Sequence, residues 1–138
     1  RTSFSGIAGT IPTEIGNCTR LSKIYFKDSY LVGTLPSELG RLVELDELDV
    51  PKNSLVGQLP DELGGLQEIR KVDLSDNGFI GTIPETYTTW PSSMSWIKLD
   101  GNPLQSGAVE DTFCTIRNPA SELEYVCGAE CTCCTDCN

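Results

Sequence analysis

Apolar residues return along this chain at fixed phases, 24 residues apart until a last step of 25. The trios Leu21, Ile24, Phe26; Leu45, Leu48, Val50; Ile69, Val72, Leu74; and Met94, Ile97, Leu99 mark four such returns. The last two members of each trio alternate with polar neighbours, the pattern of a short strand with one buried face. Ser29, Asn53, Asn77 and Asn102 stand ninth in each unit, followed by Leu31, Leu55, Phe79 and Leu104. Next comes Gly-x-(Ile/Leu)-Pro, at Gly9–Pro12, Gly33–Pro36, Gly57–Pro60 and Gly81–Pro84. Ile15, Leu39, Leu63 and Tyr87 complete the apolar set.

Each column has a physical reading. An Asn side chain both donates and accepts, so it suits the turn that leaves a strand. Stacked units would make this column a ladder for buried backbone groups that have no other partner. Ser29 is shorter and serves less well. The glycines suit a positive φ or a close approach to the next unit. Pro12, Pro36, Pro60 and Pro84 are expected at the first position of a one-turn helix, where a missing N–H costs nothing. Glu14, Glu38 and Glu62 then sit near its positive end. A fixed period in this range, with Leu and Ile at set phases, is the signature of a leucine-rich-repeat solenoid. The expected fold class is therefore an α/β solenoid with short 3-10 or helical turns. It covers residues 1–106: a partial first coil 1–20, then repeats 21–44, 45–68, 69–93 and 94–106 onward.

The segment Gly-x-(Ile/Leu)-Pro-x-Glu-(Ile/Leu)-Gly, joined to Leu-x-x-Leu-x-Leu-x-x-Asn-x-Leu, resembles the plant-type class of leucine-rich repeats. That class is known from receptor-like kinase ectodomains and polygalacturonase-inhibiting proteins. The resemblance covers residues 4 to about 106. It implies a right-handed arc with a parallel β-sheet on the concave face and a second set of extended segments near the Gly-x-Ile-Pro stretch.

Charge narrows the partner classes. Among 138 residues there are 20 acidic, 10 basic and no His, for a net charge of −10. This argues against nucleic acid or an anionic membrane. No run approaches the ~18 apolar residues of a membrane span. The acidity fits a soluble secreted surface; a cation-attracting ridge at Glu14, Glu38 and Glu62 is the alternative, but no EF-hand-type loop accompanies it. No metal or cofactor is expected. Without His there is no Ser/His or Cys/His pair. Asp49, Asp73 and Glu47 could cluster, but a solvated ridge would offer no burial to raise one pKa. The chain is not expected to be an enzyme.

Seven cysteines fall unevenly. Cys18 shares a phase with Leu42, Leu66 and Trp90, so it is expected in the core. That leaves six in the tail, Cys114, Cys127, Cys131, Cys133, Cys134 and Cys137, an even number suited to disulfides. Adjacent Cys133 and Cys134 should take different partners. The competing reading is zinc on Cys131, Cys134 and Cys137, disfavoured by the lack of two separated pairs. Regularity fails after Leu104, where Ser106 stands in the Gly column. Residues 107–138 are expected to cap the last coil through Phe113, Ile116, Leu123, Tyr125 and Val126, with disulfides as staples. The ending Phe113-Cys114 … Val126-Cys127 … Cys131-Thr132-Cys133-Cys134-Thr135-Asp136-Cys137 resembles that of secreted leucine-rich-repeat proteins of diatoms and related algae. It implies an extracellular algal protein. At the other end, residue 1 falls mid-coil, which predicts an open N-terminal face.

Side chains alternating with the strand core form the candidate binding face: Lys23, Glu47, Lys71, Trp96; then Tyr25, Asp49, Asp73, Lys98; then Lys27, Pro51, Ser75, Asp100. Mixed charge with the aromatics Tyr25 and Trp96 suits a protein, peptide or glycan. Trp90 belongs to the core. Asn17-Cys18-Thr19 is an N-glycosylation sequon, with Asn17 expected to be exposed. The leading function is an extracellular binding module using this face. The alternatives are a self-assembling subunit of a matrix, wall or fibril, and an inhibitor of a wall-degrading enzyme.

Overall fold

A computed structural model of the chain describes residues 2–3 and 6–105. The expected cap 107–138 and its six cysteines lie outside the described residues. The chain winds into stacked coils that build two parallel sheets, the last described coil adding a strand to the first alone. The first sheet holds β1 (Thr2–Ser3), β3 (Lys23–Tyr25), β5 (Glu47–Asp49), β7 (Lys71–Asp73) and β9 (Trp96–Lys98), in that order. The second holds β2 (Ala8–Gly9), β4 (Tyr30–Thr34), β6 (Ser54–Gln58) and β8 (Gly78–Ile80). Four 3-10 helices, Thr13–Asn17, Ser37–Arg41, Asp61–Gly65 and Glu85–Thr89, close the coils on the convex side. This is the leucine-rich-repeat solenoid that the period predicts.

The columns fill one continuous core. Ile24, Leu48, Val72 and Ile97 point inward from the first sheet. Leu31, Leu55 and Phe79 do so from the second, and Leu39, Leu63 and Tyr87 from the helices. Tyr87 and Trp90 stack with ring centroids 4.2 Å apart. Their polar tips are satisfied by the preceding coil: Tyr87 Oη donates to the Pro60 carbonyl and Trp90 Nε1 to that of Leu63. Two large aromatics thus replace the leucines of earlier coils without stranding a donor.

The asparagine ladder forms as expected and joins the two sheets. Asn77 Nδ2 donates to the carbonyls of Val50, Leu74 and Ser75 at 3.0–3.2 Å, and its Oδ1 accepts the Leu55 N–H. Asn53 repeats the set on Phe26, Val50, Pro51 and Leu31. Ser29 Oγ reaches its own coil's Lys27 carbonyl, at 3.4 Å. Gly33, Gly57 and Gly81 have φ near +80°. At Gly40 the demand is space: a Cβ there would lie 2.3 Å from the Glu62 carbonyl oxygen of the next coil.

Two expectations need correction. The prolines stand one residue before each helix, in extended conformation, rather than at its first position. Their carbonyls close the first turn, as in Leu39 N–H to Pro36 O at 3.2 Å. Cys18 is an exposed free thiol, not a core residue. Its phase is that of buried Leu42, Leu66 and Trp90, but each of those packs on a preceding described coil, whereas Cys18 lies in the first described one.

Candidate functional site

The outward side chains of β3, β5, β7 and β9 stand in register on the concave sheet. Lys23, Glu47, Lys71 and Trp96 form one row, and Tyr25, Asp49, Asp73 and Lys98 the next. Strands in a parallel sheet lie about 4.8 Å apart, so repeat counterparts stand side by side along each row.

The first row is internally paired. Glu47 accepts from Lys23 Nζ at 2.5 Å and from the Tyr25 hydroxyl, with Lys71 Nζ 3.9 Å away. Burial pushes the Glu47 carboxyl up, but the hydrogen bonds from Lys23 and Tyr25 outweigh it and hold it below its ordinary value. The same bonds raise Lys23 and Tyr25. Beside this hub, Arg70 grips Asp46 with both arms of its fork, Nε to Oδ1 at 2.5 Å and Nη2 to Oδ2 at 2.7 Å. That bidentate bond is the main cause of the lowered Asp46 carboxyl. Lys23 Nζ lies 3.8 Å from the same carboxylate and ties the two groups together.

The second row differs. Asp73 is only 8% exposed, and its Oδ1 accepts from the Ser75 N–H at 3.0 Å and Oγ at 2.6 Å. Asp49 Oδ1 and Asp100 Oδ1 are buried without a hydrogen-bond partner. The Asp49 carboxyl is raised, first by burial and then by the charge of Asp73. This corrects the expectation of a fully solvated carboxylate ridge: neighbouring strands cover the stems. At the far end Lys98 Nζ sits 4.8 Å from the Trp96 ring centroid, a cation–π contact.

The structure therefore brings together Lys23, Tyr25, Glu47, Asp49, Lys71, Asp73, Trp96 and Lys98. Lys27 is exposed just beyond β3. Asn17 is exposed at the end of the first 3-10 helix. The sequence reading missed Asp46 and Arg70, although their spacing was the clue. They stand 24 residues apart, so opposite charges at one phase had to meet. Among the described residues no group of three or more His, Cys, Asp or Glu could hold a metal ion. No helix among them is long and apolar enough to cross a membrane.

The second sheet presents another surface. Tyr30, Val32, Val56 and Ile80 are exposed there, 45–72% accessible. No charged residue occurs in β2, β4, β6 or β8.

A Leucine Rich Repeat family model matches residues 68–90. No curated protein sequence gives a match. Among solved structures, the ectodomain of the Arabidopsis thaliana receptor kinase GASSHO1/SCHENGEN3, in complex with CASPARIAN STRIP INTEGRITY FACTOR 2, is 35% identical. The alignment covers 86% of this chain and 13% of that one, with a TM-score of 0.75. The plant peptide hormone receptor RGFR1, in complex with RGF2, is 30% identical over 72% of this chain and 16% of its own, with a TM-score of 0.69. The ectodomain of the receptor kinase SOBIR1 from Arabidopsis thaliana shares the fold at 24% identity and a TM-score of 0.73, over 80% of this chain and 59% of its own. This chain thus spans less than a fifth of the first two ectodomains and under two thirds of the third. The fold matches that of plant leucine-rich-repeat ectodomains.

Proposed function

We propose that this chain is an extracellular protein-interaction module that receives a peptide or protein segment, or a glycan, across its concave sheet. The observation that carries the reading is the contrast within that sheet. The Lys23, Asp46, Glu47 and Arg70 network presets side-chain positions before any partner arrives, which reduces the entropy lost on binding. At the far end of the sheet, on β9, Trp96 carries the Lys98 ammonium over its ring. A partner that stacks on Trp96 complements that end of the sheet. One of the similar proteins is described as a plant peptide hormone receptor, in complex with RGF2, which supports a peptide as the first class to try. An extracellular setting also fits glycosylation at Asn17 and a disulfide-stapled cap over residues 107–138.

The test is capture of partners from a secreted peptide and glycan library by the 138-residue chain, followed by calorimetry. Trp96→Ala and Tyr25→Ala should each weaken the partner about tenfold or more while leaving the chain folded. Unaltered affinity in both variants would remove the concave face from consideration. The cap is checked by mass after alkylation with and without reduction, where six protected tail cysteines are expected.

One observation favours a second reading, a structural subunit of a matrix, wall or fibril. The exposed apolar residues Val32, Val56 and Ile80 lie on an uncharged sheet face of a molecule with net charge −10. Light scattering across a concentration series separates the two readings. A monomer at high concentration removes the subunit, and open-ended growth removes the simple receptor module.

A further inference from the structure

We propose that Asp49 and Asp73 form a proton-operated charge pair on the concave face, which carries less negative charge in acid than at neutral pH. The two residues are register partners on adjacent parallel strands, β5 and β7. Like charges placed directly opposite on one sheet face repel. Their surroundings are unequal. The Asp73 Oδ1 is occupied by two donors from Ser75, the backbone N–H and the hydroxyl. Asp49 Oδ1 is shut off from solvent and meets no donor. An ionised Asp49 therefore holds a charged oxygen in a dry position beside a second carboxylate. Protonation removes both penalties at once.

Every charged or titratable group known to act on Asp49 belongs in the balance. Asp73 on β7 and Glu47 on β5 itself oppose its ionisation, as does burial. Lys27, just past β3, and Lys98 on β9 favour it. Tyr25 on β3 is the other register partner, but its hydroxyl is committed to Glu47. The opposing influences prevail, with burial foremost and Asp73 next. The pair stands on this geometry alone. Its bearing on a partner rests on the concave-face reading above: a partner placing a cationic group over β5 and β7 would be held less firmly as the pH falls.

The test is a pH titration of the 138-residue chain, with side-chain carboxyl carbons of 13C-labelled Asp followed by NMR. Asp49 is expected to titrate above its ordinary value in the wild type, and to move down in Asp73→Asn. An Asp49 titration at the ordinary value, or one unmoved by Asp73→Asn, overturns the pair. Should Asp73→Asn fail to fold, thermal melts of Asp49→Asn decide. A raised folded-state pKa means the ionisation penalty is absent below the unfolded value and complete above the folded one. Asp49→Asn should then raise the melting temperature at pH 7 and not at pH 3; an equal change at both overturns the proposal. A confirmed pair with no pH effect on an identified partner faults the concave-face reading and leaves the pair intact.

Discussion

The two sheets are made by the same coils from parallel strands, yet they present opposite chemistry. The concave sheet stacks like phase on like phase: Lys23 pairs with Glu47 and Glu47 with Lys71, at exact repeat spacing. Charges a repeat apart become neighbours, so the face settles into ion pairs and one frustrated carboxylate couple. The second sheet is staggered. Val32 pairs with Ser54, and Thr34 with Val56, at a spacing of 22 residues. Its strands bring small, β-branched and hydroxyl side chains together, and no charge. One sheet is thus tuned residue by residue, while the other is fixed mainly by backbone demands at its glycines.

That contrast can be broken at its joint. Asn77 holds the end of the concave strand and the start of β6 with one amide group. Asn77→Ala should cost about 3 kcal/mol or more, since several buried backbone groups lose their partner together; urea unfolding measures it. A loss near the cost of an ordinary surface change would mean that the sheets hold each other without the ladder.

Smaller effects sharpen the difference. Gly57 has φ +86°, and a Cβ there would lie 3.0 Å from Thr34 Cγ2. Gly57→Ala should cost about 1–2 kcal/mol in the same measurement. On the concave sheet the sensitivity is to pH. Asp46 and Glu47 have lowered folded-state values, so their contribution is present above the ordinary carboxylate range and is lost as pH falls through the lowered values. Melts of the wild type should weaken below about pH 4, and Glu47→Gln should flatten part of that decline. Variants confined to the second sheet should leave the pH profile unchanged. The smallest effect is expected at Val56→Thr, within about 0.5 kcal/mol, because the side chain already faces solvent.

Much of this was legible from periodicity. Column phase placed Ile24, Leu48 and Val72 inside, separated core Trp90 from outward Trp96, and marked Asn53 and Asn77 as a ladder. Spacing also encoded the Asp46–Arg70 pair, but only to a reader who compares charges between repeats as well as within them. Other features depend on what no column records. Phase says which way Cys18 points, not whether a coil covers it. The burial of Asp73 arises from Ser75 and from the strands on either side. The second sheet pairs residues 22 apart rather than 24, so the pairing of Thr34 with Val56 cannot be counted off a repeat. The prolines came out one residue early because an extended Pro can close a 3-10 turn through its carbonyl alone.

The ladder has a direction. Asn53 accepts from Leu31 and donates to Phe26, and Asn77 does the same for Leu55 and Val50, as Asn102 does for Phe79 and Leu74. Within this ladder, each asparagine serves backbone groups of the coil before it. Removing a coil from the C-terminal side strips its predecessor of hydrogen-bond partners, while removal from the N-terminal side leaves every remaining asparagine with its own-coil bonds. The stack is a one-way zipper, and its fraying under force or heat should be asymmetric between its two ends.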